Sequence, residues 1–267
     1  MKTEYYSATS IPYGKMRFNL GLHGEYLIFK HLTNLEGTKK FLFNCYVPKK
    51  DGTTSEIDVI LLHSSGIYVF ESKNYSGWIF GSESQKQWTQ TFRNGHKVRF
   101  FNPLMQNNGH IKTLRRILPD FEEREFTSII AFSDRCQLKN INLETDNHIV
   151  VYRSDVFNVV SGLSYQVKLS DIEINNIYQR LHPFTQVTSE VRMAHINAVK
   201  KSGDRATAPI FPTTTSIYYS GQIEAKKRCA KCGSEMSLKT AKRGERKGQR
   251  FYGCSAFPKC RHTISLN

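Results

Sequence analysis

The sequence has no long hydrophobic run. Its longest apolar stretch near position 60 is Val59-Ile60-Leu61-Leu62, far short of the roughly 18 apolar residues that a membrane-spanning helix needs. No apolar segment follows Met1-Lys2-Thr3-Glu4, so nothing predicts export to an oxidising compartment. We therefore expect a soluble, cytoplasmic protein with no membrane partner.

Acidic residues are scarce relative to basic ones. The chain has 23 Asp and Glu against 38 Lys and Arg, a formal net charge of +15. Between Lys226 and Arg261 there are twelve basic residues and only two acidic ones, Glu235 and Glu245, which gives a net charge of +10. Solubility does not require such clustering, whereas a dense basic patch is typical of phosphate-backbone recognition. An anionic membrane surface is the alternative, but no amphipathic helix or lipidation motif supports it.

Cysteine is also rare, with six residues in the whole chain, yet four of them lie in this basic segment at Cys229, Cys232, Cys254 and Cys260. A Cys-x-x-Cys pair presents both thiolates to one ion, and a second pair can complete a tetrahedron of sulfur ligands for structural Zn²⁺. Residues 226–267 are too few to bury a sufficient core alone, so we expect zinc to support the fold. Two disulfides are the alternative, and the missing export signal disfavours them.

Hydrophobic periodicity and turn signals predict a mixed succession of strands and helices. A helix is expected over 20–34, and Asn102-Pro103 is expected to begin a helix that reaches about Leu118. Ser170-Asp171-Ile172-Glu173 is a capping box before a third helix, and a fourth spans 189–201. The predicted strands are 41–47, 56–63, 67–73, 78–80, 87–92, 97–101, 128–132 and 149–152. The change to Gly, Pro, Thr and Ser predicts a linker, which divides the chain into a domain over 1–201, the linker over 202–225 and a ribbon over 226–267.

Three charged residues interrupt two otherwise apolar strands. Asp58 lies in one strand, and Glu71 and Lys73 lie on one face of the next. If Ser64-Ser65 forms a two-residue turn, His63 pairs with Gly66 and Asp58 falls opposite Glu71. Two neighbouring carboxylates with open water positions suit Mg²⁺ or Mn²⁺. A simple ion pair at the end of a sheet is the alternative reading.

Five separated motifs follow one another along the sequence: Gly21-Leu22-His23-Gly24-Glu25, Glu56-Ile57-Asp58, Gly66-Ile67-Tyr68-Val69-Phe70-Glu71-Ser72-Lys73, Gly77-Trp78-Ile79 and Asn102-Pro103-Leu104-Met105-Gln106. In this order they resemble the nuclease-related domain (NERD), a branch of the PD-(D/E)XK nuclease superfamily. The resemblance covers about residues 18–120 and implies an α/β fold with a mixed central sheet flanked by helices, similar to restriction endonucleases.

The resemblance implies a role for five residues of this chain. Asp58 and Glu71 would be ligands of a catalytic Mg²⁺ or Mn²⁺, and Glu25 would be a helix-borne acid near the metal. Lys73 would be either a base that orients water or an electrostatic partner, and Gln106 matches a family glutamine.

Two further positions bear on that implied site. Where some relatives have a tyrosine four residues after the glutamine, this chain has His110. Glu56 is an alternative to Asp58 as the metal ligand, since alternation places it on the same face.

The C-terminal segment is similar to the zinc fingers at the C-terminus of bacterial type I topoisomerases, which bind DNA. The match runs from Cys229 to about Thr263. Aromatic side chains there are candidates to stack on bases while basic neighbours follow the backbone, although at least one aromatic is expected to form the small core of the ribbon. The candidate nucleic-acid-binding residues are Arg243, Arg246, Lys247, Arg250, Phe251, Tyr252 and Phe257.

The sequence therefore predicts a divalent-metal-dependent nuclease that a basic zinc ribbon tethers to single- or double-stranded DNA. The alternative is a non-catalytic nucleic-acid-binding protein that uses the nuclease fold as a scaffold. RNA as the substrate is a weaker alternative. Endonuclease and exonuclease action, strand and sequence preference, and the biological pathway all stay open.

Overall fold

The computed structural model describes residues 4–9, 11, 13–201, 229–234, 236–240 and 250–265. The chain divides into two compact units, Met1–Phe211 and Pro212–Asn267. Within the described residues, no helix combines the length and apolar character that crossing a membrane requires. The predicted linker over 202–225 lies outside the described residues.

A five-stranded mixed sheet forms the centre of the first unit. Its strands run in the order β1-β2-β3-β7-β9; the first three pair antiparallel, and β3, β7 and β9 pair parallel. Their bounds are β1 Lys39–Pro48, β2 Thr54–His63, β3 Gly66–Lys73, β7 Phe126–Phe132 and β9 His148–Tyr152.

A second sheet of four strands extends the same unit. Its order is β6-β5-β4-β8, with β4 and β8 parallel and the other neighbours antiparallel. Trp88 of this sheet is fully buried and stacks on Phe132 of the central sheet, which joins the two sheets through one aromatic core. The bounds are β4 Gly77–Ser82, β5 Gln87–Thr91, β6 Lys97–Phe101 and β8 Cys136–Asn142.

Seven α-helices occur among the described residues, and four of them cover the two faces of the central sheet. Helices α3 and α5 pack on one face, around Phe70 and Leu61, while α4 and α6 pack on the other, around Val69 and Leu62. The mixed sheet flanked by helices agrees with the predicted fold class. The helices are α1 Glu4–Thr9, α2 Tyr13–Phe18, α3 Leu20–Leu32, α4 Pro103–Ile117, α5 Val156–Leu163, α6 Asp171–Leu181 and α7 Ser189–Lys201.

Polar side chains cap the N-termini of helices α3, α4 and α6. The Asn19 side chain accepts the amides of Gly21 and Leu22 at the start of α3. Asn102 accepts the Leu104 amide ahead of α4. The expected capping box is present before α6. These caps satisfy backbone donors that have no partner within the helix.

The second unit contains a three-stranded antiparallel sheet in the order β10-β11-β12. Its strands are β10 Met236–Thr240, β11 Arg250–Cys254 and β12 Thr263–Ser265. The knuckle before β10 turns at Gly233, whose φ of +72° is one that glycine adopts without steric cost.

Candidate functional site

Asp58 lies where both strands of the β1–β2 pair break their alternation. The ladder skips Asn44 and Asp58, and Asn44 adopts a left-handed φ of +49°. On β2, Ile57 packs in the same layer as Ile60, whereas Val59 packs in the opposite layer. Strict alternation of side chains between the two faces therefore does not hold across Asp58. The β1–β2 ladder skips this residue, and its side chain is half-buried.

The hairpin between β2 and β3 has the register that a two-residue turn predicts. His63 pairs with Gly66, and the ladder continues to Val59 opposite Phe70. Beyond that pair, Asp58 Oδ2 accepts a 2.8 Å hydrogen bond from the Ser72 amide. The Asp58 carboxylate is thereby tied to the β3 residue between Glu71 and Lys73.

Glu71 and Lys73 form a buried ion pair on the face covered by α4. Lys73 Nζ lies 2.8 Å from Glu71 Oε1, and Gln106 Oε1 accepts a 3.0 Å hydrogen bond from the same ammonium. His110 Nε2 lies 3.1 Å from Glu71 Oε2, and Ser55 Oγ is 2.7 Å from the other nitrogen of that ring. Helix α4 thus brings Gln106 and His110, one turn apart, onto the two charged residues of β3.

The pKa values of the charged groups at this site are shifted strongly from their ordinary values. Burial alone would raise the pKa of Glu71, but Lys73 and His110 outweigh burial and lower that pKa to about 2. Burial alone would lower the pKa of Lys73, but the Glu71 carboxylate raises it above its ordinary value. Lys73 is therefore a cation at neutral pH, so this arrangement suits charge stabilisation rather than proton abstraction.

Glu25 projects from α3 toward the same region and has a different environment. It is 6% exposed, and Asn44 Nδ2 donates to its Oε2 at 2.7 Å. Burial, followed by the nearby Glu56 and Glu71, raises the pKa of Glu25 to about 8 despite that hydrogen bond. Burial followed by Glu71 and Glu25 likewise raises the pKa of Asp58 well above its ordinary value. Several carboxylates thus share one buried region, where a cation would be stabilised.

These carboxylates are not gathered as tightly as the cysteines of the second unit. Across the described segments, the four cysteines are the only group of three or more His, Cys, Asp or Glu whose ligand atoms all lie within 4.8 Å of one another. Both carboxylate oxygens of Glu71 already have a partner, Lys73 at Oε1 and His110 at Oε2. The oxygen donors of Glu25, Asp58 and Glu71 suit Mg²⁺ or Mn²⁺ by chemistry, and Asp58 and Glu71 are joined through Ser72.

A cleft of about 580 Å³ opens beside Asp58. Glu56, Asp58, Gln106 and His110 line it, together with two exposed lysines and three apolar side chains. Helix α7 contributes His195, whose ring nitrogens lie 2.9 Å from Thr54 Oγ1 and 3.5 Å from Glu56 Oε2. The remaining lining residues are Lys49, Ser55, Phe101, Met105, Gly109, Lys112, Thr113 and Val199.

Three residues of the site carried little signal in the sequence. Asn44 lies inside an apolar strand, and its role comes from its left-handed backbone and its contact with Glu25. His110 has no metal-ligand spacing to another histidine, and its role comes from contact with Glu71. His195 is 137 residues after Asp58 in the chain, and only the fold brings α7 to the cleft.

The four cysteines of the second unit have the geometry of a zinc site. Cys229 Sγ lies 3.6 Å from Cys260 Sγ, and Cys232 Sγ lies 3.3 Å from Cys254 Sγ. A disulfide would require about 2.0 Å, whereas sulfurs at about 2.3 Å from a tetrahedral zinc lie nearly 4 Å apart. All four thiols are free. The set thus fits structural Zn²⁺ and does not fit the two-disulfide alternative.

The aromatic residues of the ribbon divide into two groups. Tyr252 packs against the small core that contains Met236 and the cysteines, as expected for at least one aromatic. Phe257 is 61% exposed, and Lys239 Nζ lies 5.9 Å from its ring centroid. Phe251 and Phe257 line a pocket of about 310 Å³. The candidates Arg243, Arg246 and Lys247, and the side chain of Arg250, lie outside the described part of the chain.

Comparison with known proteins finds a match in each of the two units. A model of the nuclease-related domain matches residues 20–133, and a model of the topoisomerase DNA-binding C4 zinc finger matches residues 226–267. The chain is also 32% identical over 178 residues to uncharacterized protein pXO1-01 of Bacillus anthracis, a match that covers 66% of this chain and 82% of that protein. No solved structure matches the chain.

Proposed function

This chain belongs to the nuclease-related domain (NERD) family and carries a topoisomerase-type C4 zinc finger, and on that basis we propose that it is a divalent-metal-dependent nuclease that hydrolyses DNA phosphodiester bonds. The zinc ribbon tethers the enzyme to DNA. The observation that carries the proposal is the arrangement of Asp58, Glu71, Lys73 and Gln106 where the β2–β3 ladder ends, beside an open cleft.

In this proposal, the three acidic residues Glu25, Asp58 and Glu71 hold Mg²⁺ or Mn²⁺. Such an ion polarises a phosphoryl oxygen and lowers the pKa of bound water. Asp58 is oriented by the Ser72 amide, and Glu71 is oriented by Lys73 and His110. Both carboxylates therefore enter the reaction with restricted freedom, which favours a defined ligand geometry.

Lys73 supplies positive charge rather than a base. Its ammonium is held between Glu71 and Gln106, and it is positioned to stabilise the negative charge that develops on the phosphate. Gln106 fixes the direction of the ammonium through its carbonyl oxygen. Of the two roles that the sequence left open, we thus propose the electrostatic one.

The cleft receives the scissile strand. Lys49 and Lys112 are exposed at its walls and can neutralise phosphates on either side of the cleaved bond, while Phe101 and Met105 offer apolar surface to a base or sugar. His195 from α7 lies beside Glu56 in the cleft and borders the DNA strand on that side. The lysines at the walls suit a nucleic-acid backbone, and the acidic residues of the cleft suit a bound cation.

The experiment that tests this proposal uses the full chain with circular single-stranded and double-stranded DNA in Mg²⁺, Mn²⁺ or EDTA. We expect cleavage with either cation and none with EDTA. DNA binding without cleavage in any cation would replace the proposal with the scaffold alternative.

A further inference from the structure

Arg153 is a buried arginine that lies outside the segment matched by the nuclease-related domain. It follows β9 in a single 3₁₀ turn, Arg153–Asp155, and is only 3% exposed. Among the described residues, no carboxylate lies within salt-bridge distance of its guanidinium, and its buried Nε has no hydrogen-bond partner. Burying a cation in this way is costly, so its position calls for a physical reason.

The guanidinium is wedged between α3 and β3. Arg153 Nη2 donates to Ser72 Oγ at 3.3 Å. On the other side it faces Gly24, where a Cβ atom would lie 2.8 Å from Nη2 and 2.7 Å from Ser72 Oγ. Both distances are too short for a side chain, so glycine at position 24 allows the helix, the strand and the arginine to meet.

The two elements that Arg153 touches carry two of the three proposed metal ligands. Gly24 immediately precedes Glu25 in α3, and Ser72 lies between Glu71 and Lys73 in β3. The Ser72 amide also holds Asp58 through its 2.8 Å hydrogen bond. A single guanidinium therefore contacts the residues adjacent to two of the acids, and it reaches the third through Ser72.

We propose that Arg153 is a positioning residue, which sets the spacing between α3 and β3 and thereby holds Glu25, Asp58 and Glu71 in the geometry that binds the catalytic cation. The inference rests on the proposed function for its consequence, but the contact itself concerns only the protein. With this role for Arg153, part of the active site lies after residue 133, beyond the segment that the nuclease-related domain matches.

The main test compares Arg153→Met with wild type and with Arg180→Met. Arg180 is a partly exposed arginine of α6 that bonds Asp120 and the Ile117 carbonyl, away from the site, and serves as the control. We expect Arg153→Met to weaken Mn²⁺ binding, measured by calorimetry, about 10- to 100-fold. Its melting temperature should stay the same or rise, since an apolar residue replaces an incompletely bonded buried cation. A lower melting temperature with unchanged Mn²⁺ affinity would show a merely structural role and overturn the proposal.

A second variant perturbs the same contact from the opposite side and serves if Arg153→Met does not fold. Gly24→Ala places a methyl group against the guanidinium, so it should weaken Mn²⁺ binding as well. The double variant should lose less Mn²⁺ affinity than the sum of the two single losses, because the guanidinium is one of the two groups that the added methyl group would meet, and Ser72 Oγ is the other. Fully additive losses would mean that Gly24 and Arg153 act separately, against the proposal.

Amide exchange gives a readout that needs neither metal nor DNA. In metal-free Arg153→Met, the Ser72 amide should exchange at least about tenfold faster than in wild type, while the Phe70 amide in the same strand keeps its protection. Unchanged Ser72 exchange would contradict the positioning role. A wild-type protein that cleaves no DNA would instead remove the proposed function, and the exchange result would still decide whether Arg153 orders Asp58.

Discussion

At the scale of single residues, the ammonium of Lys73 has two partners, and this decides what it can do. Glu71 and Gln106 hold it at 2.8 and 3.0 Å, and Glu71 raises its pKa. A group that stays protonated cannot remove a proton from water at neutral pH. It can stabilise charge on a phosphate, and this effect appears in the transition state rather than in metal binding.

The first prediction follows from that distinction. Lys73→Met should keep Mn²⁺ affinity within a few fold and lower the cleavage rate by about 10²- to 10⁴-fold, whereas Glu71→Gln should lose the metal. Calorimetric titration with Mn²⁺ and single-turnover cleavage separate the two effects. If Lys73→Met loses Mn²⁺ affinity as strongly as Glu71→Gln, Lys73 is a structural partner of the acid and not a catalytic group.

The second prediction concerns stability and pH at Glu25. The pKa of Glu25 is about 8 in the folded protein and about 4.5 when unperturbed. The folded state therefore binds the proton more tightly, so this group costs nothing below about pH 4.5 and destabilises increasingly as pH rises through 8. Without divalent cations, Glu25→Gln should be more stable than wild type at pH 8 by roughly 1–4 kcal/mol, and much less so at pH 5.

Urea unfolding at the two pH values in EDTA measures that difference. Glutamine keeps an oxygen that can accept from Asn44 Nδ2, so the variant removes the charge rather than the hydrogen bond. A stability difference that is equal at pH 5 and pH 8 would show that the ionisation of Glu25 is not the cause.

The residues of the site differ in how far the sequence could predict them. Asp58, Glu71 and Lys73 are charged side chains in apolar strands, and a two-residue turn fixed the register that brings their strands together. Asn44, His110 and Arg153 could not be predicted in the same way, because each acts through a contact between elements distant in the chain. Their side chains are ordinary for a strand, a helix and a turn until the fold places them on Glu25, Glu71 and Ser72.

At the scale of elements, strong local signals placed most helices and strands. Proline after Asn102, the capping box at Ser170 and the Ser64-Ser65 turn each specify backbone geometry locally. Helices α1, α2 and α5 and strand β8 escaped prediction. Strand β8 is largely exposed and carries little apolar alternation, so its pairing with β4 depends on tertiary contact.

The third prediction concerns the zinc ribbon as an element. We expect one Zn²⁺ per chain, and we expect its removal by a strong chelator to unfold residues 226–267, because the core around Met236 is too small to be stable alone. Cys232→Ser should reduce the zinc content, whereas Cys136→Ala, a buried free cysteine of the first unit, should leave it at one. Elemental analysis checks both; a zinc-free wild-type chain with unchanged ribbon structure would refute the site.

At the scale of the whole molecule, most of the net positive charge and the proposed catalytic residues lie in different units. The segment after Gln222 carries twelve basic and three acidic residues, +9 of the net +15. None of Glu25, Asp58, Glu71, Lys73 and Gln106 belongs to it. Affinity for DNA and the chemistry of cleavage should therefore be separable.

The fourth prediction uses this separation. Truncation after Gln222 should weaken DNA binding steeply, while metal-dependent cleavage persists at high protein concentration or low salt. If the ribbon makes roughly four to six phosphate contacts, the slope of log affinity against log salt should flatten by about three to five. An unchanged slope would assign the ribbon to contact with another protein instead.

The most direct test of the central claim is single-turnover cleavage of circular DNA by wild type and Asp58→Asn, with DNA binding measured in the same samples. Asparagine can still accept the Ser72 amide but lacks the charge that holds a cation. The account predicts cleavage by wild type in Mg²⁺ or Mn²⁺ and none in EDTA, with Asp58→Asn at least about 10²-fold slower and bound to DNA equally well. Cleavage by Asp58→Asn at the wild-type rate, or by wild type in EDTA, would contradict it.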